Sequence, residues 1–439
     1  MLADFIANNA VAVSAGLLIL AYIFIALEKI PKMTIAFIGA SIAIILGLVS
    51  QVKEIGGVLN PHYFINFVDF NVIFLLVSMM IIVSITTRSG VFSWLANELL
   101  KLTKGRPIKI LFALGLFTAV VSAFLDNVTT VILIMPITFV IAKELEIDPI
   151  PYLLTEIFAS NIGGTATLIG DPPNIIIGSA AGLSFMDFVV ELTPVIAIIL
   201  VIVLALLAFL FRKKLQASEE NMKKVAMIDN TKSIVDKALM IRSTTILGLV
   251  ILGFVTHDIT HIETCVVAMI GASILLLFEK PSEILKDVEW NTIFFFIGLF
   301  IIIGGLEASG GIKLMAEWIL KVTQGSQAAT SMLILWASGI ISGIIDNIPY
   351  TATMAPMLVE IQNTMGEAYA IPLWWSLSLG ACLGGNMTII GAAANVIVSE
   401  YASSKGYQIS FMRFMKYGVC VVTISLLIST GYVYFKYLT

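Results

Sequence analysis

Long apolar runs alternate with short polar stretches along this chain. Runs of this length and composition predict membrane-spanning helices. We identify ten of them, at residues 11–27, 35–49, 72–86, 152–178, 189–211, 244–255, 264–278, 293–306, 373–399 and 417–435. Two further apolar segments, 108–141 and 332–362, are each interrupted near the centre by an Asp-Asn pair. The pattern predicts an all-α polytopic membrane protein.

The composition agrees with a membrane protein and argues against other classes. Hydrophobic residues make up 59% of the chain and charged residues 12%, with a mean hydropathy of +1.01. A soluble protein could not hide so much apolar surface. The sequence contains no phosphate-binding loop, HExxH motif or nucleophile motif, so it supports neither ATP-driven transport nor an enzyme. We expect membrane lipids around the protein and no nucleic acid partner.

The interrupted segments belong to an internal duplication. Ser, Asp, Asn and Pro recur at a constant offset of 220 residues, at Ser122, Asp126, Asn127 and Pro136 and again at Ser342, Asp346, Asn347 and Pro356. The same offset relates residues 68–74 to residues 288–294. Because the offset between matching motifs stays constant from residue 68 to residue 136, the sequence predicts two equivalent halves. We place the first repeat at residues 11–211, a cytoplasmic linker at 212–242 and the second repeat at 243–436.

The positive charges predict the orientation of the spans. If the two interrupted segments are re-entrant hairpins, five spans remain in each half. With the N-terminus outside, all but four of the 25 Lys and Arg residues then lie on the cytoplasmic side. An odd number of crossings gives the halves opposite topologies, which is the inverted repeat of many secondary transporters. We expect this arrangement in the inner membrane of the cell.

Each Asp-Asn pair marks the predicted tip of a hairpin. Backbone cannot reverse inside hydrocarbon unless its polar groups are satisfied by protein or by a water-filled cavity. Asp and Asn are good helix N-caps, so capping alone is the plainer interpretation. A serine would cap without burying a carboxylate, however, and an intramembrane carboxylate is costly unless it is paired or protonated. We therefore expect binding of an ion or substrate at the tips, by Asp126, Asn127, Thr129, Thr130, Asp346 and Asn347.

The spans at 152–178 and 373–399 are predicted to be broken in mid-membrane. Three glycines and two adjacent prolines within 163–173 cannot continue a helix, and the second repeat keeps the glycines without the prolines. A broken helix exposes carbonyl groups at one half-helix end and N–H groups at the other, which can bind ions. A packing kink is the alternative. The candidate binding residues at the breaks are Asn161, Gly163, Gly164, Thr165, Thr167, Asp171, Asn174, Gly384, Gly385, Asn386, Thr388 and Asn395.

The tips and breaks contain three carboxylates and no Lys or Arg. This excess of negative charge would repel an anion alone but accept a cation, a proton or an anion accompanied by cations. We expect Na⁺ or a proton as the coupling ion and no other cofactor. Asp171 has no counterpart in the second repeat, and whether it binds ions or caps a half-helix stays open. Three other acidic residues are interpreted as interfacial or structural: Glu156, Glu307 and Glu360. The candidate Na⁺ ligands are Asp126, Asn127, Asp346 and Asn347.

The motifs at the tips and breaks resemble those of a known superfamily. They read Ser122-Ala-Phe-Leu-Asp-Asn-Val-Thr-Thr, Gly170-Asp-Pro-Pro-Asn174, Asp346-Asn-Ile-Pro and Gly380-Ala-Cys-Leu-Gly-Gly-Asn386. They are similar to the melanosomal P protein branch of the ion transporter superfamily. That superfamily also holds arsenite permeases, NhaD-type sodium/proton antiporters, and dicarboxylate and citrate symporters. The resemblance implies a homodimer in which each protomer has a scaffold domain and a transport domain of two hairpins and two broken helices, moving by an elevator mechanism.

The tips depart from those of the dicarboxylate symporters, which read Ser-Asn-Thr and bind sodium and substrate carboxylate. Here they read Asp126-Asn127-Val128 and Asp346-Asn347-Ile348. The added negative charge opposes a carboxylate, so we expect a secondary active transporter of a small inorganic ion, with Na⁺/H⁺-coupled exchange as the leading hypothesis. The alternatives are an arsenite or antimonite efflux permease, a Na⁺-coupled dicarboxylate or citrate transporter, and an anion channel.

Overall fold

A computed structural model describes residues 6, 8–27, 29–55, 58–226 and 233–439, and these residues are mostly helical. The first half contains α1 (Ala10–Ala26), α2 (Lys32–Ile45), α3 (Phe70–Arg88), α4 (Val91–Leu102), α5 (Pro107–Ser122), α6 (Asn127–Leu145), α7 (Ile150–Gly164), α8 (Pro172–Ala181) and α9 (Phe185–Phe211). A short antiparallel pair, β1 (Glu54–Ile55) and β2 (Val58–Leu59), and a 3₁₀ turn (Phe64–Phe67) lie between α2 and α3.

The second half follows a short helix, α10 (Glu219–Ala226). It contains α11 (Lys237–Val255), α12 (His257–Thr260), α13 (Thr264–Leu276), α14 (Pro281–Ile284), α15 (Trp290–Ala308), α16 (Gly311–Val322), α17 (Gln327–Ile345), α18 (Asn347–Met365), α19 (Glu367–Gly384), α20 (Ala393–Ser404) and α21 (Phe411–Tyr437).

Seven helices in the described part of the chain are long and apolar enough to cross a membrane. They are α3, α6, α9, α11, α15, α17 and α21. The apolar helices α1, α2, α5 and α13 are shorter. The prediction of an all-α protein with several apolar spans is therefore confirmed.

The helix bounds repeat along the chain. α3 and α15, α4 and α16, and α6 and α18 begin and end at positions related by the offset of 220 residues. α9 and α21 are both 27 residues long. The turn before α4 and the turn before α16 each contain a glycine with positive φ, 84° at Gly90 and 85° at Gly310. The two halves thus use the same local structure at equivalent positions.

The Asp-Asn segments and the glycine-rich spans are each divided into two helices. α5 and α6 are joined by residues 123–126, which form the first tip, and α17 and α18 are joined by Asp346 alone, which forms the second tip. α7 and α8 are separated by residues 165–171, the first break, and α19 and α20 by residues 385–392, the second break. α5 packs against α7, and α17 packs against α19, so each hairpin lies beside a broken helix of its own half.

Small residues bring helices of the two halves into close contact. α2 packs against α15, and a Cβ placed on Gly298 would lie only 2.8 Å from the backbone of Ala36. Such approaches are typical of helix pairs in membranes, where close backbone packing replaces the hydrophobic effect.

The predicted linker at 212–242 packs against the first half. α10 contacts α4 and α6. Val235 donates its backbone N–H to the Ser89 carbonyl at 3.0 Å, and the Asn97 amide donates to the Ser233 hydroxyl at 3.0 Å. The described residues of the linker therefore contact the start and the middle of α4, an arrangement that we call the linker contact.

Candidate functional site

The first tip is capped by its own aspartate. Asp126 precedes α6, and its carboxylate accepts hydrogen bonds from the Thr129 backbone N–H at 2.8 Å and the Thr129 hydroxyl at 2.6 Å. Both carboxylate oxygens are engaged, one by each group. Asp126 thus acts as an N-cap here, as the plainer interpretation of the sequence expects.

The second tip differs, because its aspartate forms a salt bridge. Asp346 Oδ1 accepts the Ile348 backbone N–H at 3.0 Å, while Oδ2 lies 2.5 Å from Nζ of Lys32 at the start of α2. The Asp346 side chain is only 2% exposed, whereas that of Lys32 is 27% exposed. Asp346 has a φ of 83°, a left-handed conformation that costs a non-glycine residue about 1–3 kcal/mol. The tips themselves contain no Lys or Arg, but Lys32 reaches the second tip from a helix that is distant in sequence.

Asp171 lies between the two tips. It is fully buried, and its carboxylate accepts hydrogen bonds from the Asn127 amide at 3.4 Å and from the Asn347 amide at 3.1 Å. It forms no salt bridge with any residue that the structure describes. Although it precedes α8, its side chain makes no capping hydrogen bond. The carboxylate therefore connects the first residues of the two helices that follow the tips.

Three helix N-termini meet at this carboxylate. α6 begins at Asn127, α18 begins at Asn347, and α8 begins directly after Asp171. Helix N-termini carry partial positive charge and favour anions. The dipoles of these helices therefore favour a negative charge at Asp171.

Asparagine amides connect the two breaks. Asn161 on α7 accepts a hydrogen bond from Asn127 at 2.9 Å and donates to Asn386 at 2.8 Å and to Asn395 at 3.0 Å. All four side chains are buried. Together with Asp171 and Asn347, they form one hydrogen-bonded cluster that we call the polar centre.

Asn174 and Asn395 also stabilise the breaks. Asn174 donates to the backbone carbonyls of Thr165 at 3.1 Å and Thr167 at 2.9 Å. Asn395 occupies the equivalent position in the second half. It donates to the carbonyls of Gly385 and Thr388 at 2.7 Å and 2.8 Å. Each side chain thus satisfies carbonyls that a continuous helix would have bonded. Ser378, which the sequence did not single out, donates to Asn174 Oδ1 at 2.6 Å.

Most of the threonines predicted as ligands donate their hydroxyl groups to backbone carbonyls instead. Thr388 donates its hydroxyl to the Gly343 carbonyl at 2.6 Å, and Thr167 donates to Ala123 in the same way. These bonds attach each break to the adjacent hairpin. Thr165 donates to the Asn161 carbonyl at 2.7 Å. The Thr130 hydroxyl is buried and has no hydrogen-bond partner among the residues that the structure describes.

The predicted glycines allow close packing. A Cβ on Gly163 would lie 2.5 Å from Cα of Ala119 on α5, and a Cβ on Gly384 would lie 2.5 Å from the carbonyl oxygen of Gly339 on α17. Across the first break, a Cβ on Gly164 would lie 2.6 Å from the Gly170 carbonyl oxygen, and across the second, a Cβ on Gly385 would lie 3.2 Å from that of Gly391. The glycines therefore position the tips rather than contribute side-chain ligands.

Two acidic residues outside the predicted set are also notable. Glu156 on α7 is fully buried and accepts a hydrogen bond from the Thr138 hydroxyl. Its Oε2 atom has no hydrogen-bond partner among the described residues. In the sequence, its position inside the apolar run 152–178 is the feature that could have identified it as a buried acidic residue. Glu289 lies just outside α15, where burial raises the pKa of its carboxyl to about 7 and the negative charge of Asp126 adds to this effect.

Comparisons with known proteins place the chain in a family. The family described as "Citrate transporter" matches residues 22–380. A 46 kDa membrane protein of Mycobacterium leprae is 41% identical over 423 residues, which cover 96% of this chain and 97% of that protein. An uncharacterized transporter of Mycobacterium tuberculosis is 40% identical, covering 97% of this chain and 98% of that protein.

More distant relatives extend this picture. The P protein of Mus musculus is 31% identical over 504 residues, which cover 97% of this chain and 59% of the P protein. The chain therefore spans little more than half the length of that relative. The crystal structure of the Alcanivorax borkumensis YdaH transporter, described as having an unusual topology, matches with a TM-score of 0.53 at 13% identity. The matched region covers 82% of this chain and 84% of the YdaH chain, and the similarity concerns the fold alone.

The predicted resemblance to the ion transporter superfamily is thus confirmed by the family match and by the P protein relatives. The chain belongs to the citrate transporter family of that superfamily and is a membrane transporter rather than an enzyme.

Proposed function

We propose that the protein is an ion-coupled secondary active transporter that takes up its coupling ion, a proton or Na⁺, at the polar centre around Asp171. The observation that carries this proposal is the environment of that carboxylate. It is fully buried, it receives two amide hydrogen bonds, and it has no basic partner among the described residues.

A buried carboxylate of this kind needs a positive partner. Charged groups inside a membrane are costly, and those that occur commonly mark ion or proton pathways. Two amide hydrogen bonds and three helix N-termini reduce the cost but supply no full charge. Uptake of a proton or Na⁺ would neutralise Asp171. Hard cations prefer oxygen ligands, and the carboxylate offers two. The Asn127 and Asn347 amides now donate N–H groups to it and would add oxygen ligands on rotating.

The proposal includes the architecture expected from the sequence. The repeated helix bounds support two equivalent halves, 11–211 and 243–436, and the positive-inside pattern supports opposite orientations with the N-terminus outside, in the inner membrane of the cell. The two hairpins and two broken helices form the polar centre, which supports a transport domain that moves against a scaffold of the other helices. A homodimer and elevator-type movement complete the proposal by resemblance to the superfamily.

Reconstituted flux tests the coupling role of Asp171. Purified protein is placed in liposomes, and fluxes of protons and Na⁺ are followed after pH and Na⁺ gradients are imposed. We expect gradient-driven flux in the wild type and in the control variant Asp258→Asn, which changes an exposed aspartate, and loss of coupled flux in Asp171→Asn. Coupled flux of wild-type size in Asp171→Asn would overturn the proposal.

Cotransport of a carboxylate anion is the second candidate function. Lys32 at the second tip and the three helix N-termini at the polar centre favour an anion, as does the description of the matching family. The carboxylates of Asp126 and Asp346 oppose it. Uptake of labelled citrate driven by a Na⁺ or proton gradient would favour this candidate, whereas gradient-driven exchange of Na⁺ and protons without citrate favours the inorganic ion.

A further inference from the structure

We propose that Lys32 is a tethered cation that occupies a second ion site, at Asp346, and that the coupling cation must displace it from this carboxylate. This inference rests on the proposed function, because it requires that the protein binds Na⁺ or a proton.

The salt bridge joins two parts of the fold that are remote in sequence. Lys32 opens α2, 314 residues before Asp346, which is the whole connection between α17 and α18. The Nζ–Oδ2 distance is 2.5 Å. The bridge therefore links the start of α2 to the tip of the second hairpin.

The two partners differ in their access to water. The Asp346 carboxylate is nearly inaccessible at 2% exposure, so leaving its negative charge unpaired would be costly. Lys32 is 27% exposed and carries its charge on a long flexible chain. Its ammonium can move into water and be solvated there. An incoming cation can thus replace Lys32 without leaving either charge buried and unpaired.

The first half shows why, among the described residues, a lysine pairs with the second tip and not with the first. Asp126 directs one oxygen to the Thr129 backbone and the other to the Thr129 hydroxyl. The position equivalent to Thr129 is Pro349, which has neither an N–H nor a hydroxyl to donate. One oxygen of Asp346 consequently caps α18 through Ile348, and the other is directed to Lys32.

The other described residues that hydrogen-bond at this tip are neutral or acidic. Tyr22 on α1 donates to the Pro349 carbonyl at 2.6 Å and also contacts the Thr353 hydroxyl, and Tyr350 lies on α18. Asp171 is connected to the tip through Asn347. Lys32 is therefore the group that competes with an entering cation at Asp346.

Cation binding to purified protein tests the competition without requiring transport. The thermal unfolding temperature is measured against Na⁺ concentration at constant ionic strength, with choline as the replacing cation, and the series is repeated against pH. The variants are Lys32→Gln, which removes the charge, Lys32→Arg, which keeps it, and Lys29→Gln, which changes a nearby exposed lysine.

We expect Lys32→Gln to lower the apparent dissociation constant for Na⁺ by about tenfold or more. If the coupling ion is a proton, the proton concentration that produces half of the rise in unfolding temperature should fall by the same factor. Lys32→Arg and Lys29→Gln should remain close to the wild type. The effect of Lys32→Gln should disappear when Asp346→Asn is present in the same chain. If Lys32→Gln unfolds without cations, Na⁺ or acid should restore its fold.

Each contrary outcome points to a different error. A wild type that responds to cations together with an unchanged or weakened response in Lys32→Gln overturns the competition while the proposed function stands. The competition is also overturned if Lys32→Gln is unfolded and neither Na⁺ nor acid restores its fold. Weakened citrate binding in Lys32→Gln identifies Lys32 as an anion ligand instead. A wild type that responds to neither Na⁺ nor pH overturns both the proposed function and this inference.

Discussion

The contact between α5 and α7 at Gly163 gives the sharpest test of how the site is built. A Cβ at this position would lie 2.5 Å from Cα of Ala119 and nearer still to the carbonyl oxygen of that residue. Ordinary contacts of a Cβ begin at 3.4 Å. The obstructing atoms are backbone, so no side chain can turn aside, and Gly163→Ala requires α5 and α7 to separate by about 1 Å.

The cost of this separation follows from core packing. Adding a methyl group to a filled interior costs about 1–3 kcal/mol when neighbours can adjust, and the rigid helix backbones here place Gly163→Ala toward the upper end. Gly248 on α11 is the matched control, because a Cβ there meets nothing within 4 Å. Gly248→Ala should be neutral or should stabilise the protein by up to about 1 kcal/mol, since alanine is the better helix former.

Equilibrium unfolding of the purified variants in a mild detergent measures the difference. We expect Gly163→Ala to be less stable than the wild type and Gly248→Ala to be at least as stable. The equivalent change, Gly384→Ala, should resemble Gly163→Ala, because its Cβ would meet the backbone of Gly339 at 2.5 Å. Equal stabilities of Gly163→Ala and Gly248→Ala would refute the packing role given to the glycine.

Two further predictions concern other groups. Asn395→Ala should destabilise the protein by about 1–3 kcal/mol, because it leaves the buried Gly385 carbonyl without a partner among the described residues, whereas the Thr388 carbonyl keeps the Gly391 N–H at 3.2 Å. Asn363→Ala, at an exposed site, is its control in the same unfolding assay, and equal effects of the two changes would contradict the role of Asn395. Glu289 has its pKa raised from 4.5 to about 7, chiefly by burial, so its contribution to stability is complete below pH 4.5 and is lost as the pH rises through 7. Between pH 4.5 and pH 7, the thermal unfolding temperature of Glu289→Gln should fall less than that of the wild type. An equally large fall in both proteins would show that ionisation of Glu289 does not cause it.

The sequence predicted those parts of the site that depend on local chemistry. The tips and breaks could be located because an Asp-Asn pair, or glycines beside prolines, disrupts an apolar helix wherever it occurs. The constant offset then related the two halves. These signals lie within a few residues of the feature that they create.

Contacts between distant segments could not be predicted in this way. The bond from Asn347 to Asp171 spans 176 residues, and the salt bridge from Lys32 spans 314. Counting charges within the tips and breaks therefore missed Lys32, which belongs to the start of a helix far away. The sequence also could not show that the threonine hydroxyls would bind backbone carbonyls, because that depends on the packing of hairpin against break.

The linker contact makes the two otherwise equivalent helices α4 and α16 mechanically unequal. Both follow a glycine with positive φ, but a side chain at Gly90 would collide with the Ser233 carbonyl, whereas one at Gly310 would meet open space. Rotation about residue 90 would disturb the hydrogen bond between Val235 and Ser89, whereas Gly310 has no comparable contact with the described residues of the linker. We therefore expect the turn before α4 to be more restrained than the equivalent turn before α16.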